Sequence, residues 1–414
     1  MSKIIKIIEA EIKTFSPRWV LESLKFIRFF YWKFIWAVRG KILTQKYFNI
    51  PDEKNNYWIN PDKIIYRTLN EFDVHPFMGK VLDGDWDLLE KKFEDSLFYV
   101  SFRERLKTKR EWSELKYYQN LVDRISKGEI CWGCRTKEDA DKRCRKLDAI
   151  YKDIKNNGYN PSKYGDEITV NVGRHGDLLF NNGRHRLAFC KILRIQKIPV
   201  KIVVRHSKWV KFRNEIISYT QKEGGKIYSP ITHIDLQYIT SHYSDKRFNI
   251  IKNNISTKKG TLLDIGSNWG YFCHKFEEKG FRCYSIENDP MNLYFLKKLK
   301  RAENRQFHIV SESIFTFCNH MKRRKFDVVL ALAVFHHFLK KKETYIKLIE
   351  LLENLEIKEL FFQPHKPYEP QMKGAYKNFN YDEFTEFILN NSCLTKSKKI
   401  GIGDDGRPIY KLNK

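Results

Sequence analysis

The chain is poor in cysteine, short of acidic side chains and without long apolar runs, and each shortage excludes something. Its eight cysteines, at 131, 134, 144, 190, 273, 283, 318 and 393, do not form the two close pairs of a zinc ribbon, so reduced thiols are the expectation. The lone C-W-G-C of Cys131 and Cys134 is a redox pair, half of a metal site with no matching half nearby, or two ordinary buried thiols. No stretch reaches the ~20 apolar residues that span a bilayer. The N-terminal residues mix Lys and Glu with Ile instead of ordering the segments of a secretory signal, so a cytoplasmic location is expected. Acidic residues number 50 against 77 Lys and Arg, and 77 − 50 = +27 favours an anionic partner: nucleic acid, an anionic membrane surface or a phosphorylated substrate.

What is abundant is material for cores. Hydrophobic residues at 42% and aromatics at 15% exclude a generally disordered chain. At roughly 150 residues per domain, 414 residues allow two or three cores. The pattern divides into a helical N-terminal segment over 1–50, a first domain over 60–225 and a second over 226–414, with Gly224-Gly225 and Ser229-Pro230 as breaks. Within the first segment, a helix over 19–41 gathers Lys25, Arg28 and Lys33 on one side and Phe26, Phe30, Tyr31 and Phe34 on the other. Such a basic amphipathic helix either lies in an anionic membrane interface, as a peripheral contact, or docks on the protein's own core.

In the first domain, Glu167 to Val172 alternates as a half-buried strand, Leu178 to Phe180 returns as its partner, and Arg184 to Leu193 has helical spacing before a strand from Ile198 to His206. Gly183 therefore sits just before a helix N-terminus, where exposed N–H groups suit phosphate, and Arg184, His185 and Arg186 add donors. The plain alternative is a permissive turn flanked by surface charge. The run Phe180-Asn-Asn-Gly-Arg-His-Arg-Leu-Ala188, followed by Ile198-Pro-Val200, resembles the signature of the ParB/sulfiredoxin-like superfamily over about residues 165 to 206. That resemblance implies an α+β domain with a nucleotide or phosphate site, taking ATP or another nucleoside triphosphate with Mg²⁺, without fixing the reaction. Upstream, Asp83, Asp85 and Asp87 surround a glycine and could hold Mg²⁺ or act as a base toward a hydroxyl; otherwise they form a solvated turn.

The second domain opens with Thr261-Leu-Leu-Asp-Ile-Gly266, a strand turning through Gly266-Ser-Asn-Trp-Gly270 into a helix from Tyr271, with a second strand, Arg282 to Ile286, ending at Glu287. A glycine turn at the end of one strand and an acid at the end of the next suit a ligand with a ribose. LDIGSNWGYF lacks the pyrophosphate-type G-x-G-x-x-G and resembles motif I of class I S-adenosylmethionine-dependent methyltransferases, over about residues 258 to 414. The resemblance implies a doubly wound, Rossmann-like sheet that holds S-adenosylmethionine. Gly266, Asn268 and Gly270 would admit it, Glu287 would accept from the ribose hydroxyls, Asp264 would orient the turn or the ligand's ammonium, and Glu312 would lie near the adenine.

Further strands at Phe307 to Val310, Lys325 to Leu332 and Glu359 to Phe362 follow, and a hairpin of Lys399 to Ile402 with Pro408 to Leu412 ends the chain as this family usually does. At the carboxyl ends of two of these strands stand His336, His337, Gln363 and His365, whose imidazoles can take a proton from a hydroxyl or can simply pack as structural histidines. The Asn/Asp-Pro-Pro-aromatic run of amino-methylating nucleic-acid enzymes is absent. That lowers the reading of a nucleic-acid base as acceptor. A nucleotide-binding domain joined to a methyltransferase on one basic chain suggests sequential modification of one hydroxyl-bearing or phosphorylated acceptor, phosphorylation and then methylation of a glycan or lipid-linked saccharide, and the amphipathic helix fits a lipid-linked one. Nucleic acid stays open as the alternative, because of the charge.

Overall fold

The computed structural model describes residues 56–69, 71–165, 167–320 and 325–414. The segment expected over 1–50, with its helix at 19–41, lies outside the described residues. The fold is α/β in two compact units, one of residues up to 174 with 178–212 and the other of 175–177 with 213–414. Among the described residues no helix is long and apolar enough to cross a membrane.

The first unit holds strands β1 (Tyr57–Ile59), β2 (Tyr66–Arg67), β3 (Lys80–Leu82), β4 (Ile168–Val172), β5 (Leu178–Asn182) and β6 (Ile198–His206). They form one mixed sheet in the order β1-β6-β4-β5-β2, with β3 also on β6. Strand β4 differs from the half-buried strand expected: all five of its residues are buried, because it lies between β5, antiparallel, and β6, parallel. Its polar side chains are satisfied internally. Asn171 Nδ2 donates to Thr68 Oγ1 at 3.0 Å, Asn171 Oδ1 accepts from Val204 N at 3.1 Å, and Thr169 Oγ1 accepts from Asn181 Nδ2 at 3.0 Å. Beside the sheet, helices Leu97–Thr108 and Arg184–Ile192 share an aromatic cluster, with Phe98, Phe102 and Phe189 ring centroids 4.7–5.7 Å apart.

The second unit holds β7 (Thr261–Ile265), β8 (Arg282–Ile286), β9 (His308–Val310), β10 (Lys325–Leu332), β11 (Glu356–Gln363), β12 (Lys396–Ile402) and β13 (Pro408–Asn413). The sheet order is β12-β13-β11-β10-β7-β8-β9. Strands β9, β8, β7, β10 and β11 run parallel, and β13 and β12 complete the sheet antiparallel. Alternate residues feed two cores. Leu263, Ile265, Val329, Ala331 and Phe362 pack with helices Lys342–Asn354 and Tyr381–Asn390 on one face. Leu262, Val328, Leu330 and Phe361 pack with helices Lys246–Asn254, Tyr271–Glu277 and Pro290–Ala302 on the other. This is a doubly wound sheet. Its strand order reverses between β7 and β10, which makes a crevice at their carboxyl ends the place for a ligand.

Candidate active site

The turn after β7 is built for close approach. Gly266 and Gly270 have φ of 71° and 78°, and a Cβ on either would lie 2.9 Å from Val334 Cγ2 or 2.5 Å from Leu296 Cδ1. Asn268 shares the left-handed region at φ 52°. The turn is pinned by Gly266 N and Ser267 N donating to Ile286 O at 3.0 and 2.9 Å, so its path is fixed by β8. Glu287, at the end of β8, is 8% exposed. Its Oε2 accepts from Asn268 N, and its Oε1 from Asn288 N and Asp289 N, each at 2.9 Å. Burial raises its pKa, and the three amides act against the rise. Each oxygen keeps acceptor capacity for a ligand hydroxyl.

Asp264 lies in β7, 3% exposed, and its Oδ2 accepts only a weak Cys273 Sγ contact at 3.9 Å. Burial pushes its pKa up to about 7; Arg247 opposes the rise and Glu287 adds to it. Glu312, beyond β9, is half-buried and sits 3.6 Å from His320 Nδ1. The turn, Asp264 and Glu287 are therefore brought together on adjacent strands, and the residues present fit the amino-acid and ribose parts of S-adenosylmethionine.

The expected imidazoles also converge. The His336 ring lies 4.1 Å from that of His337 and 5.4 Å from that of His365, centroid to centroid. His336 is buried with no partner on either ring nitrogen, and burial followed by its two histidine neighbours lowers its pKa to about 3. It is a neutral imidazole at physiological pH. His365 Nε2 donates to Asn378 Oδ1 at 2.8 Å, which leaves Nδ1 as the bare nitrogen. Burial also lowers the pKa of His365, and partial desolvation followed by Lys340 lowers that of His337.

Sequence reasoning placed Gln363 here but missed Asp405, Arg407 and Tyr243, which join it in framing this cluster. Gln363 Nε2 donates to Asp405 Oδ1 at 3.2 Å, Arg407 Nε to Asp405 Oδ2 at 2.6 Å, and Arg407 NH2 to Tyr243 OH at 3.0 Å. Asp405 and Arg407 belong to the terminal hairpin, which reads in sequence as a turn alone. Only the antiparallel pairing of β13 on β11 carries them to the end of β11.

In the first unit, Gly183 caps helix Arg184–Ile192 in the left-handed region. Arg184 NH2 donates to Glu71 Oε1 at 2.6 Å, and Arg186 is buried at the same turn. His185 turns instead toward the aromatic cluster, 4.3 Å from the Phe98 ring, with Nε2 at 3.3 Å from Tyr117 OH. Burial and then three arginines lower its pKa to about 3. Of the three aspartates, Asp87 is buried and bound by Arg174, which also reaches Asp85, while Asp83 is exposed. Among the described residues no group of three or more His, Cys, Asp or Glu could hold a metal. All eight cysteines are free, and Cys131 and Cys134 face each other across a two-residue turn with buried thiols.

Residues 263–352, which carry the turn, Glu287 and His336, match the family model for a methyltransferase domain. The second unit thus carries a methyltransferase domain of Rossmann-like fold, and S-adenosylmethionine is the cofactor that such a domain implies. Among solved structures, the chain is similar to the bifunctional kinase-methyltransferase WbdD at 17% identity and a TM-score of 0.40. That match covers 48% of this chain and 46% of the other, so the chain spans under half the length of that relative. It is also similar to a SAM-dependent methyltransferase from Archaeoglobus fulgidus (13% identity, TM-score 0.31, 41% of this chain and 90% of that one). The N-methyltransferase NodS from Bradyrhizobium japonicum WM9 matches at 13% identity and TM-score 0.32, over 41% and 94% of the two chains. No curated protein matches the chain.

Proposed function

We propose that the chain transfers a methyl group from S-adenosylmethionine to a hydroxyl of a glycan or lipid-linked saccharide. The observation that carries the cofactor reading is Glu287, held by three backbone amides beside the Gly266–Gly270 turn. Bound there, the cofactor would supply an electrophilic methyl on a sulfonium. The chain's own work is then orientation and proton removal. Glu287 holds the ribose hydroxyls, Asn268 and the two glycines shape the turn, and Glu312 lies toward the base. His336, neutral and with both ring nitrogens unpartnered, would take the proton of the acceptor's hydroxyl. His365, fixed in one tautomer by Asn378, and His337 flank it.

The first unit, in this reading, is a ParB/sulfiredoxin-like nucleotide-binding domain that places triphosphate at Gly183, Arg184 and Arg186, with His185 packed behind. It would act before the methyl transfer, as a kinase on the same acceptor with Mg²⁺, or as a binding module. The basic helix over 19–41 would hold the protein at an anionic membrane where a lipid-linked acceptor resides, so liposome flotation with and without residues 1–50 tests that part. The +27 charge supports a second reading, a nucleic-acid acceptor, for which a steep salt dependence of duplex binding is the mark. Calorimetry with S-adenosylhomocysteine decides the core of the proposal. Heat from wild type, lost in Glu287→Ala, is the expected result, and an unchanged affinity in the variant would sink it.

A further inference from the structure

The C-W-G-C run joins helices Lys116–Ser126 and Lys137–Asn157 of the first unit. Cys131 N donates to Cys134 O at 3.2 Å and Cys134 N to Cys131 O at 3.0 Å, around a turn whose central residues are both left-handed, Trp132 at φ 51° and Gly133 at φ 81°. This is the two-residue I′ hairpin pattern, which favours Asn or Gly in the central places. A tryptophan there is held in a backbone region that bulky side chains rarely adopt, and such an outlier persists only where its surroundings impose it. What the tight turn achieves is to set two cysteines directly opposite each other.

Residues that exchange both backbone bonds have Cα atoms about 5.5 Å apart and side chains on the same side of the ladder. A disulfide spans Cα separations of roughly 4.4 to 6.8 Å. Cys131 and Cys134 are 3% and 4% exposed, so both thiols face the packed side. They lie just beneath the surface, because their neighbours Ile130 and Trp132 are 63% and 48% exposed. Cations flank them: Arg124 interacts electrostatically with Cys131, and Arg143 with Cys134, where it opposes the burial that raises the thiol's pKa. Cys273 and Cys283 are the contrast, both wholly buried in the core of the second unit.

The hairpin also bears on its own unit through Trp132. That ring stacks on Tyr117 with centroids 5.8 Å apart, lies under the Arg143 guanidinium at 4.9 Å and meets the His185 ring edge-on at 6.3 Å. Tyr117 OH is in turn 3.3 Å from His185 Nε2, at the start of helix Arg184–Ile192.

We propose that Cys131 and Cys134 form a reversible dithiol–disulfide pair whose oxidant is a small disulfide of the glutathione class, and that closing it fixes Trp132 on the Tyr117–His185 face. One cysteine thiolate attacks a sulfur of the oxidant, breaking its S–S bond and releasing a glutathione thiolate. The other cysteine, as thiolate, attacks the mixed disulfide, so that the Cys131–Cys134 bond forms and the second glutathione leaves. Two cysteine thiols are oxidised, and one glutathione disulfide is reduced to two thiols. The hairpin already holds the second sulfur beside the first, which makes the closing step intramolecular and favours it over a lasting mixed disulfide.

The test uses the full chain equilibrated with glutathione disulfide, quenched by alkylation and read by intact mass and peptide mapping. Oxidation should remove the two thiol hydrogens, leave no glutathione attached, map to Cys131 and Cys134 and reverse in dithiothreitol. Cys144, Cys273 and Cys283 should still be alkylated after unfolding, the sign that the protein stayed folded during oxidation. Tryptophan emission should change as the bridge forms, and that change should be largely lost in Trp132→Phe. Cys131→Ser and Cys134→Ser should each abolish both the bridge and the emission change. A chain that stays reduced in excess glutathione disulfide has two ordinary buried thiols, and the proposal falls. It falls equally if a glutathione adduct persists on wild type or if the bridge runs to Cys144. A bridge that leaves emission unchanged, or changes it equally in Trp132→Phe, overturns the coupling to the Tyr117–His185 face.

Discussion

Two arginines, one in each unit, are held in opposite ways. Arg174 of the first unit donates through Nε and NH2 to Asp87, and through NH2 to Asp85 and to the carbonyl of Gly84, at 2.6–3.0 Å. Those carboxylates raise its pKa, the Asp87 hydrogen bonds first. Arg247 of the second unit has neutral partners and a bare Nε. The difference teaches that a buried charge is not in itself a sign of function. A charge whose partners are all within the protein is part of the scaffold.

Breaking the complete partnership should have the largest effect. Arg174→Ala leaves the buried Asp87 carboxylate with the amide of residue 174 and the more distant His206 but without its guanidinium, and should lower the stability of the first unit by about 3 kcal/mol in urea unfolding. A loss below about 1 kcal/mol would show that the pair is merely a surface one. Next comes pH. His336 has a folded pKa near 3 against an ordinary value near 6.5, so below 6.5 the unfolded chain binds a proton that the folded one does not. Stability falls as pH drops through that window, by up to about 1.4 kcal/mol per unit from this group, and His336→Gln should flatten the slope between pH 6.5 and 4.5.

Glu287→Ala should cost about 1.5–3 kcal/mol of S-adenosylhomocysteine binding with little change in unfolding midpoint; a large midpoint shift would make Glu287 structural instead. Gly270→Ala should lower stability by about 1–2 kcal/mol, from the left-handed backbone and the crowding of Leu296. The smallest effect belongs to the first unit's turn. Arg186→Ala should weaken a fluorescent nucleoside triphosphate by about tenfold at most and leave S-adenosylhomocysteine affinity alone. Absence of nucleotide binding by wild type in Mg²⁺ would reduce that turn to a packing role.

Much of the second unit was legible from residue order. The expected strands Arg282 to Ile286 and Lys325 to Leu332 match the observed bounds, as does the terminal hairpin to within three residues. Strand ends were readable because glycines and charges punctuate apolar runs there. The first unit was harder. The alternation of Glu167 to Val172 suggested a solvated face, whereas Thr169 and Asn171 are buried against Asn181, Thr68 and the Val204 amide. A hydrogen-bonded polar core has the sequence pattern of a half-exposed strand.

By itself the sequence determined the glycine turns, the acid that closes β8 and the imidazoles at the ends of β10 and β11, because each is a local requirement of backbone conformation or of a strand terminus. It did not determine that Arg247, seventeen residues before Asp264, would stand unpaired over the same crevice, or that Asp405 and Arg407 would come to the end of β11. Those are placed by helix packing and by an antiparallel strand added last to the sheet. Whether a charged side chain finds a partner depends on which distant segments surround it, and only the folded chain brings those segments together.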